Sequence, residues 1–104
     1  MSDHETQKSI SQWANETFGR PVSNWTIARR ALQEANELEY KLCENDVSPS
    51  AVEEAADVII VLMRLFERFG ADWQVEVDKK MAINRGRQWV LDGRGHGQHI
   101  KESK

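Results

Sequence analysis

From Val22 to Ser48, and again from Ser50 to Phe69, the chain contains neither glycine nor proline. These two residues are the strongest punctuators of regular structure, so stretches this long without them favour helices over a sheet of short strands. Only two prolines and six glycines occur in 104 residues, and most of the glycines fall towards the C-terminus. Apolar spacing agrees. Ile10, Trp13, Ala14 and Phe18 recur at three and four residues, which predicts a helix over 9–18 stopped by Gly19 and Pro21. A second helix is predicted over 24–42, capped by Ser23 or Asn24. Its stripe of Ala28, Ala31, Ala35, Leu38 and Leu42 is narrow and mostly small, suited to close approach of a neighbour. Ser48 as cap and Pro49 in the first helical position open a third helix, which Gly70 closes. Its segment Val58–Met63 is apolar on every side, as in a helix enclosed by a bundle or an oligomer interface. Asp72 is the predicted cap of a fourth helix that carries Trp73, Val77 and Met81 and reaches about residue 87. No strand is expected. The expected fold is all-α, a four-helix bundle that oligomerises, with one domain over 1–91 and a polar, glycine-rich tail over 92–104 that docks loosely.

Composition narrows the function. Hydrophobic residues at 39% against 30% charged residues describe a folded chain, not a disordered one. The net charge of −3 and the lack of a basic recognition helix argue against a nucleic-acid partner. The longest apolar run, Val58–Met63, is too short to span a bilayer. The N-terminal MSDHETQKS has no apolar centre, so no signal peptide is expected. Cys43 has no partner within the chain for a disulfide and suits a reducing compartment, which points to the cytoplasm; a lone helical thiol reads as packing.

The chemistry lies in two pairs of carboxylates. Glu34 and Glu37 are three apart on the second helix, and Glu54 and Asp57 are three apart on the third, so each pair shares one side of its helix. Antiparallel packing of the two helices would bring four carboxylates to one point, an oxygen-rich arrangement that suits a hard divalent cation such as Mg²⁺ or Mn²⁺. Glu54 and Asp57 also project with Val58, Val61 and Leu65, extending an apolar stripe where a carboxylate is costly unless neutralised. Helix propensity and the first-turn dipole explain Glu53 and Glu54 without any metal, but they explain Asp57 poorly. Lys80, Asn84 and Arg87, spaced four and then three, place an ammonium, an amide and a guanidinium in a row that can hold phosphates; a solvated basic helix end is the plain alternative. GRGHG (Gly93–Gly97) lacks the Lys-Ser/Thr ending of a P-loop, and the absence of a Glu-x-x-His pair excludes a ferritin-like di-iron site.

The segments LQEANEL, EEAADVIIVL and KMAINRGRQW, in that order, resemble the three motifs of the MazG-like, all-α NTP pyrophosphatase superfamily. Its ExxE, ExxD and KxxxNxx[KR] patterns correspond to Glu34 and Glu37, Glu54 and Asp57, and Lys80, Asn84 and Arg87. The resemblance covers about residues 10–89, and WANETFG with the closing DG…H tail looks closest to a dATP/dGTP diphosphohydrolase-like branch. It implies that Glu34, Glu37, Glu54 and Asp57 bind Mg²⁺, that Glu34 or Glu37 serves as general base, and that Lys80, Asn84 and Arg87 hold the phosphates. The implied reaction cleaves a (d)NTP to a (d)NMP and pyrophosphate. The implied assembly is a homodimer or a dimer-based tetramer. Trp13, Phe18 and Trp25 are the candidates for stacking on the base. One departure stands out: many members carry a glutamate just before the first ligand, where this chain has Gln33. The rival reading is a non-enzymatic helical interaction or oligomerisation module, whose surface carboxylates predict no effect of metal on stability.

Overall fold

A hydroxyl stands at the start of each of the first two helices. In the computed structural model, which describes residues 3–100, α1 (Gln7–Phe18) begins at Thr6. Thr6 Oγ1 accepts from the Ser9 amide at 3.0 Å and Ser9 Oγ accepts from the Thr6 amide at 2.7 Å, a reciprocal cap that starts the helix two residues earlier than apolar spacing predicts. Of the two candidate caps for α2 (Asn24–Glu44), Ser23 serves: its hydroxyl accepts from the Thr26 amide at 3.2 Å. The predicted cap of α3 (Ser50–Arg68) does not form. The Ser48 hydroxyl pairs with that of Ser50 at 3.0 Å, and the Ser48 carbonyl accepts from the Ala51 amide at 3.1 Å. Pro49, with φ of −62°, therefore precedes the helix instead of opening it. The last helix, α4, spans Trp73–Arg85.

α3 packs against both α2 and α1. The seam is thin. Ala14, Ile27, Ala51 and Met63 are its buried apolar residues, and among the described residues no large side chain is fully enclosed. Ser11 is buried with them and donates to the Met63 carbonyl at 3.4 Å. On α2 the buried line starts at Ile27 and runs through Glu34, whereas Ala28 is exposed. The apolar segment of α3 is only partly enclosed: Val58, Val61 and Leu65 are half-buried, while Ile59 faces outward. Cys43 is exposed rather than packed.

Polar clamps take over where the apolar seam ends. Arg64 Nη2 donates to Asn15 Oδ1 at 2.9 Å and to the Gly19 carbonyl at 2.8 Å. Arg68 donates to Asn24 Oδ1 at 2.7 Å and to the Pro21 carbonyl at 2.9 Å. Two arginines of α3 thus tie down the α1–α2 connection at Gly19 and Pro21 and the helix ends beside it. At the other end Gln7 Nε2 donates to Glu67 Oε1 at 2.9 Å and to the Ala71 carbonyl at 2.6 Å, while its Oε1 accepts from the Trp73 amide at 2.9 Å. The bonds to the Gly19, Pro21 and Ala71 carbonyls and from the Trp73 amide satisfy backbone groups at helix ends and loops that no helix ladder reaches.

One compact unit extends to Trp73 and a second begins at Gln74. Within the second, a hairpin follows α4: β1 (Trp89–Leu91) pairs antiparallel with β2 (Gly97–His99), with Trp89 opposite His99 and Leu91 opposite Gly97. The sequence reading expects no strand here and a loose tail from Asp92. Three-residue strands are too short to show alternation; the turn carries the signal instead. The Asp92 carboxylate accepts from the amides of Arg94 at 2.8 Å and His96 at 3.1 Å. Gly97 is required by close approach, since a Cβ there would lie 2.7 Å from the Val90 carbonyl oxygen. Residues 101–104 of the expected tail lie outside the described residues. Among the described residues no helix is long and apolar enough to cross a membrane.

Candidate metal centre

Helical spacing places Arg30, Glu34, Glu37 and Lys41 along one face of α2, at intervals of four, three and four. α3 presents Glu54 and Asp57 to the same region. One carboxylate oxygen from each of Glu34, Glu54 and Asp57 lies within 4.8 Å of the other two. Three of the four expected ligands therefore converge. The fourth, Glu37, lies outside that trio and is exposed, yet close enough to hydrogen-bond Glu34.

The trio is graded in burial: Glu34 is 6% exposed, Glu54 is half-buried and Asp57 is open. Burial pushes the Glu34 carboxyl above the usual glutamate value of 4.5; Glu37 and Asp57 push it the same way, and Arg30 opposes them. Arg30 Nη2 is 2.6 Å from Glu34 Oε1. Lys41 Nζ is 4.0 Å from Glu54 Oε1, while Glu54 Oε2 is buried without a hydrogen-bond partner. A buried carboxylate oxygen without a partner is costly, and a cation among the three carboxylates would satisfy it. The donor set is all oxygen, which matches a hard divalent ion. The residues fit the metal that the sequence implies.

A cavity of about 550 Å³ adjoins the trio, with Glu34, Asp57 and Arg30 in its wall. Trp13, Phe18, Ile27 and Val61 supply much of its apolar lining. Trp13 and Phe18 meet edge to face, with centroids 5.4 Å apart and planes at 84°. A largely apolar hollow of this size with a few polar groups at one end suits a small organic ligand. Trp25 lies outside the lining; it is exposed, with Arg29 Cζ 5.5 Å from its ring centre.

Lys80, Asn84 and Arg87 belong to the second unit. They do not share one helical face, because α4 ends at Arg85 and Arg87 follows in a turn, its amide donating to the Asn84 carbonyl at 3.2 Å. Arg87 Nη1 still reaches Asn84 Oδ1 at 3.5 Å.

Sequence reading missed Arg30 and Lys41. Extending the acidic face of α2 by one turn in each direction from Glu34 and Glu37 would have found both.

The fold is similar to that of a solved cyanophage S-2L MazG-like pyrophosphohydrolase bound to dGDP and three catalytic Mn²⁺ ions per active site. The two chains are 27% identical, the match covers 93% of this chain and 91% of that one, and the TM-score is 0.72. No protein-family model matches the chain, and no curated protein does.

Proposed function

We infer that this chain, a member of the MazG-like superfamily, is a divalent-metal-dependent nucleotide pyrophosphohydrolase that cleaves a (d)NTP between its α- and β-phosphates to a monophosphate and pyrophosphate. The observation that carries the reading is the convergence of Glu34, Glu54 and Asp57 beside a cavity of about 550 Å³, with Glu34 and Asp57 in its wall and Glu54 Oε2 buried and unpartnered. The neighbour's bound nucleotide and metal support it.

Glu34, Glu54 and Asp57 hold the cation, with Mg²⁺ the proposed metal and Mn²⁺ able to replace it. When bound, such a cation neutralises phosphate charge and acidifies a nearby water. Glu37 is the better of the two general-base candidates: it is exposed at the edge of the trio, whereas Glu34 is buried and paired with Arg30. The water oxygen bonds to phosphorus, the bridging P–O bond breaks, and Glu37 takes the water proton. Glu37 also remains a candidate fourth ligand. Lys80, Asn84 and Arg87 are proposed to bind the phosphates on the strength of their charge and donors. Trp13 and Phe18 are proposed to hold the base within the cavity. Trp25 has less support, since it does not line it.

The thin seam and the exposure of Val22, Ile59 and Phe69 support self-association as a homodimer or a dimer of dimers. A free thiol and a nucleotide substrate both suit the cytoplasm. The WANETFG segment and the neighbour's dGDP favour purine deoxynucleotides, as in a dATP/dGTP diphosphohydrolase-like branch. Chromatographic product analysis on a panel of (d)NTPs tests the reading. Monophosphate and pyrophosphate in equal amounts, formed with Mg²⁺ and absent with EDTA, are expected. Release of inorganic phosphate alone, or of nothing, would leave the non-enzymatic helical module as the better account.

A further inference from the structure

Among the described residues Arg30 makes the closest ion pair with the trio, and it combines two unlike surroundings. Its Nη2 lies 2.6 Å from Glu34 Oε1, yet the arginine side chain is 62% exposed while that acid is buried. Its other terminal nitrogen, Nη1, donates to the neutral Gln33 Oε1 at 3.4 Å, a long bond that is easily given up. Arg30 also lines the cavity beside Glu34 and Asp57. The acid is enclosed, whereas most of the arginine side chain faces solvent. Lys41, at the other end of the same face, has a looser pair at 4.0 Å and does not line the cavity.

We propose that Arg30 is a counterion shared between metal site and substrate: it neutralises Glu34 while the carboxylates hold no cation, and it turns to a phosphate oxygen of the nucleotide once a divalent cation takes over Glu34. This rests on the pyrophosphohydrolase reading above. A divalent cation on Glu34 competes with Arg30 for the charge of the same carboxylate and repels the guanidinium, the more so where burial weakens screening. A guanidinium released at the cavity wall matches the forked geometry of phosphate oxygens. Loss of Arg30 therefore has opposite effects on two ligands. A structural residue or a metal ligand would weaken both.

The test compares the wild-type chain with Arg30→Gln and Arg30→Lys. Mn²⁺ alone is titrated by paramagnetic resonance, and α,β-methylene-dGTP is then titrated at saturating Mn²⁺. Arg30→Gln is expected to bind Mn²⁺ at least as tightly as wild type and the analogue roughly tenfold more weakly. In EDTA it should melt below wild type, with the gap closing when Mn²⁺ is added. Arg30→Lys keeps the charge without the fork and should recover part of the analogue affinity; it carries the same test if Arg30→Gln does not fold. Undiminished analogue affinity in the variants, or parallel loss of both ligands, overturns the proposal. A wild-type chain that takes up no Mn²⁺ overturns the reading of the site itself, and this inference with it.

Discussion

Arg30 Nη2 and Glu34 Oε1 stand 2.6 Å apart, with the Arg30 side chain 62% exposed and that of Glu34 only 8%. The pair does not fully offset the burial of the acid, because the Glu34 carboxyl remains above its ordinary value. The consequence for stability has a definite sign. A carboxyl whose pKa is higher in the folded chain holds more protons there than in the unfolded chain, so its contribution is present below the ordinary value and is lost as pH rises through the folded one.

Glu34→Gln removes that loss. In EDTA, the variant's melting temperature should rise relative to wild type as pH increases from about 4.5. Mn²⁺ should reverse the order above that range by stabilising wild type alone. Melting curves across pH, with and without metal, check both. Parallel curves in EDTA would show that Glu34 is not destabilised in the fold.

The seam between the helices is thin enough that single residues decide its stability. Ile27 is buried on α2, so Ile27→Ala should cost about 2–4 kcal/mol. Val22, 89% exposed in the α1–α2 connection, should tolerate alanine within about 0.5 kcal/mol. Urea unfolding of the two variants checks the contrast; equal losses would misplace the core.

Gln7 joins α1 to the end of α3 and the first amide of α4 through three hydrogen bonds. Gln7→Ala leaves the Ala71 carbonyl and the Trp73 amide without those bonds and should cost about 1–3 kcal/mol. Hydrogen exchange at the Trp73 amide reports the same change locally: protection should fall there before it falls in α2.

The acidic pairs were legible because a three-residue spacing on a helix fixes direction, and both pairs lay on helices free of glycine and proline. The convergence of Glu34, Glu54 and Asp57 follows from antiparallel packing across the short turn between α2 and α3. Glu37 was not separable from them by spacing, since the difference lies in which carboxylate oxygens the packing of α2 against α3 brings within 4.8 Å of one another. Arg30, paired with Glu34 one turn along α2, resembles an ordinary i,i+4 helix pair until burial singles that acid out, and Lys41 resembles an ordinary polar helix residue until α3 brings Glu54 against it. Gln7 gave no signal because its three partners are far along the chain. The hairpin was hidden by the brevity of its strands, although Asp92 with Gly93 and Gly95 marked a turn.

Trp13 on the cavity wall separates base binding from metal binding. Trp13→Ala should raise KM for a purine (d)NTP about tenfold or more and leave Mn²⁺ affinity unchanged. Trp25→Ala, outside the cavity, should alter KM far less. Steady-state kinetics beside Mn²⁺ titration distinguish the two, and equal effects would move the base site away from the cavity.

The most direct test of the account is Mn²⁺ binding and pyrophosphate release measured side by side for wild type and Glu54→Gln. This change keeps the shape of the side chain and removes the charge whose Oε2 is buried without a partner. Wild type should bind Mn²⁺ and release pyrophosphate from a (d)NTP, and Glu54→Gln should lose both while keeping its helical content. A variant that binds Mn²⁺ and releases pyrophosphate as wild type does would contradict the assignment of the metal centre.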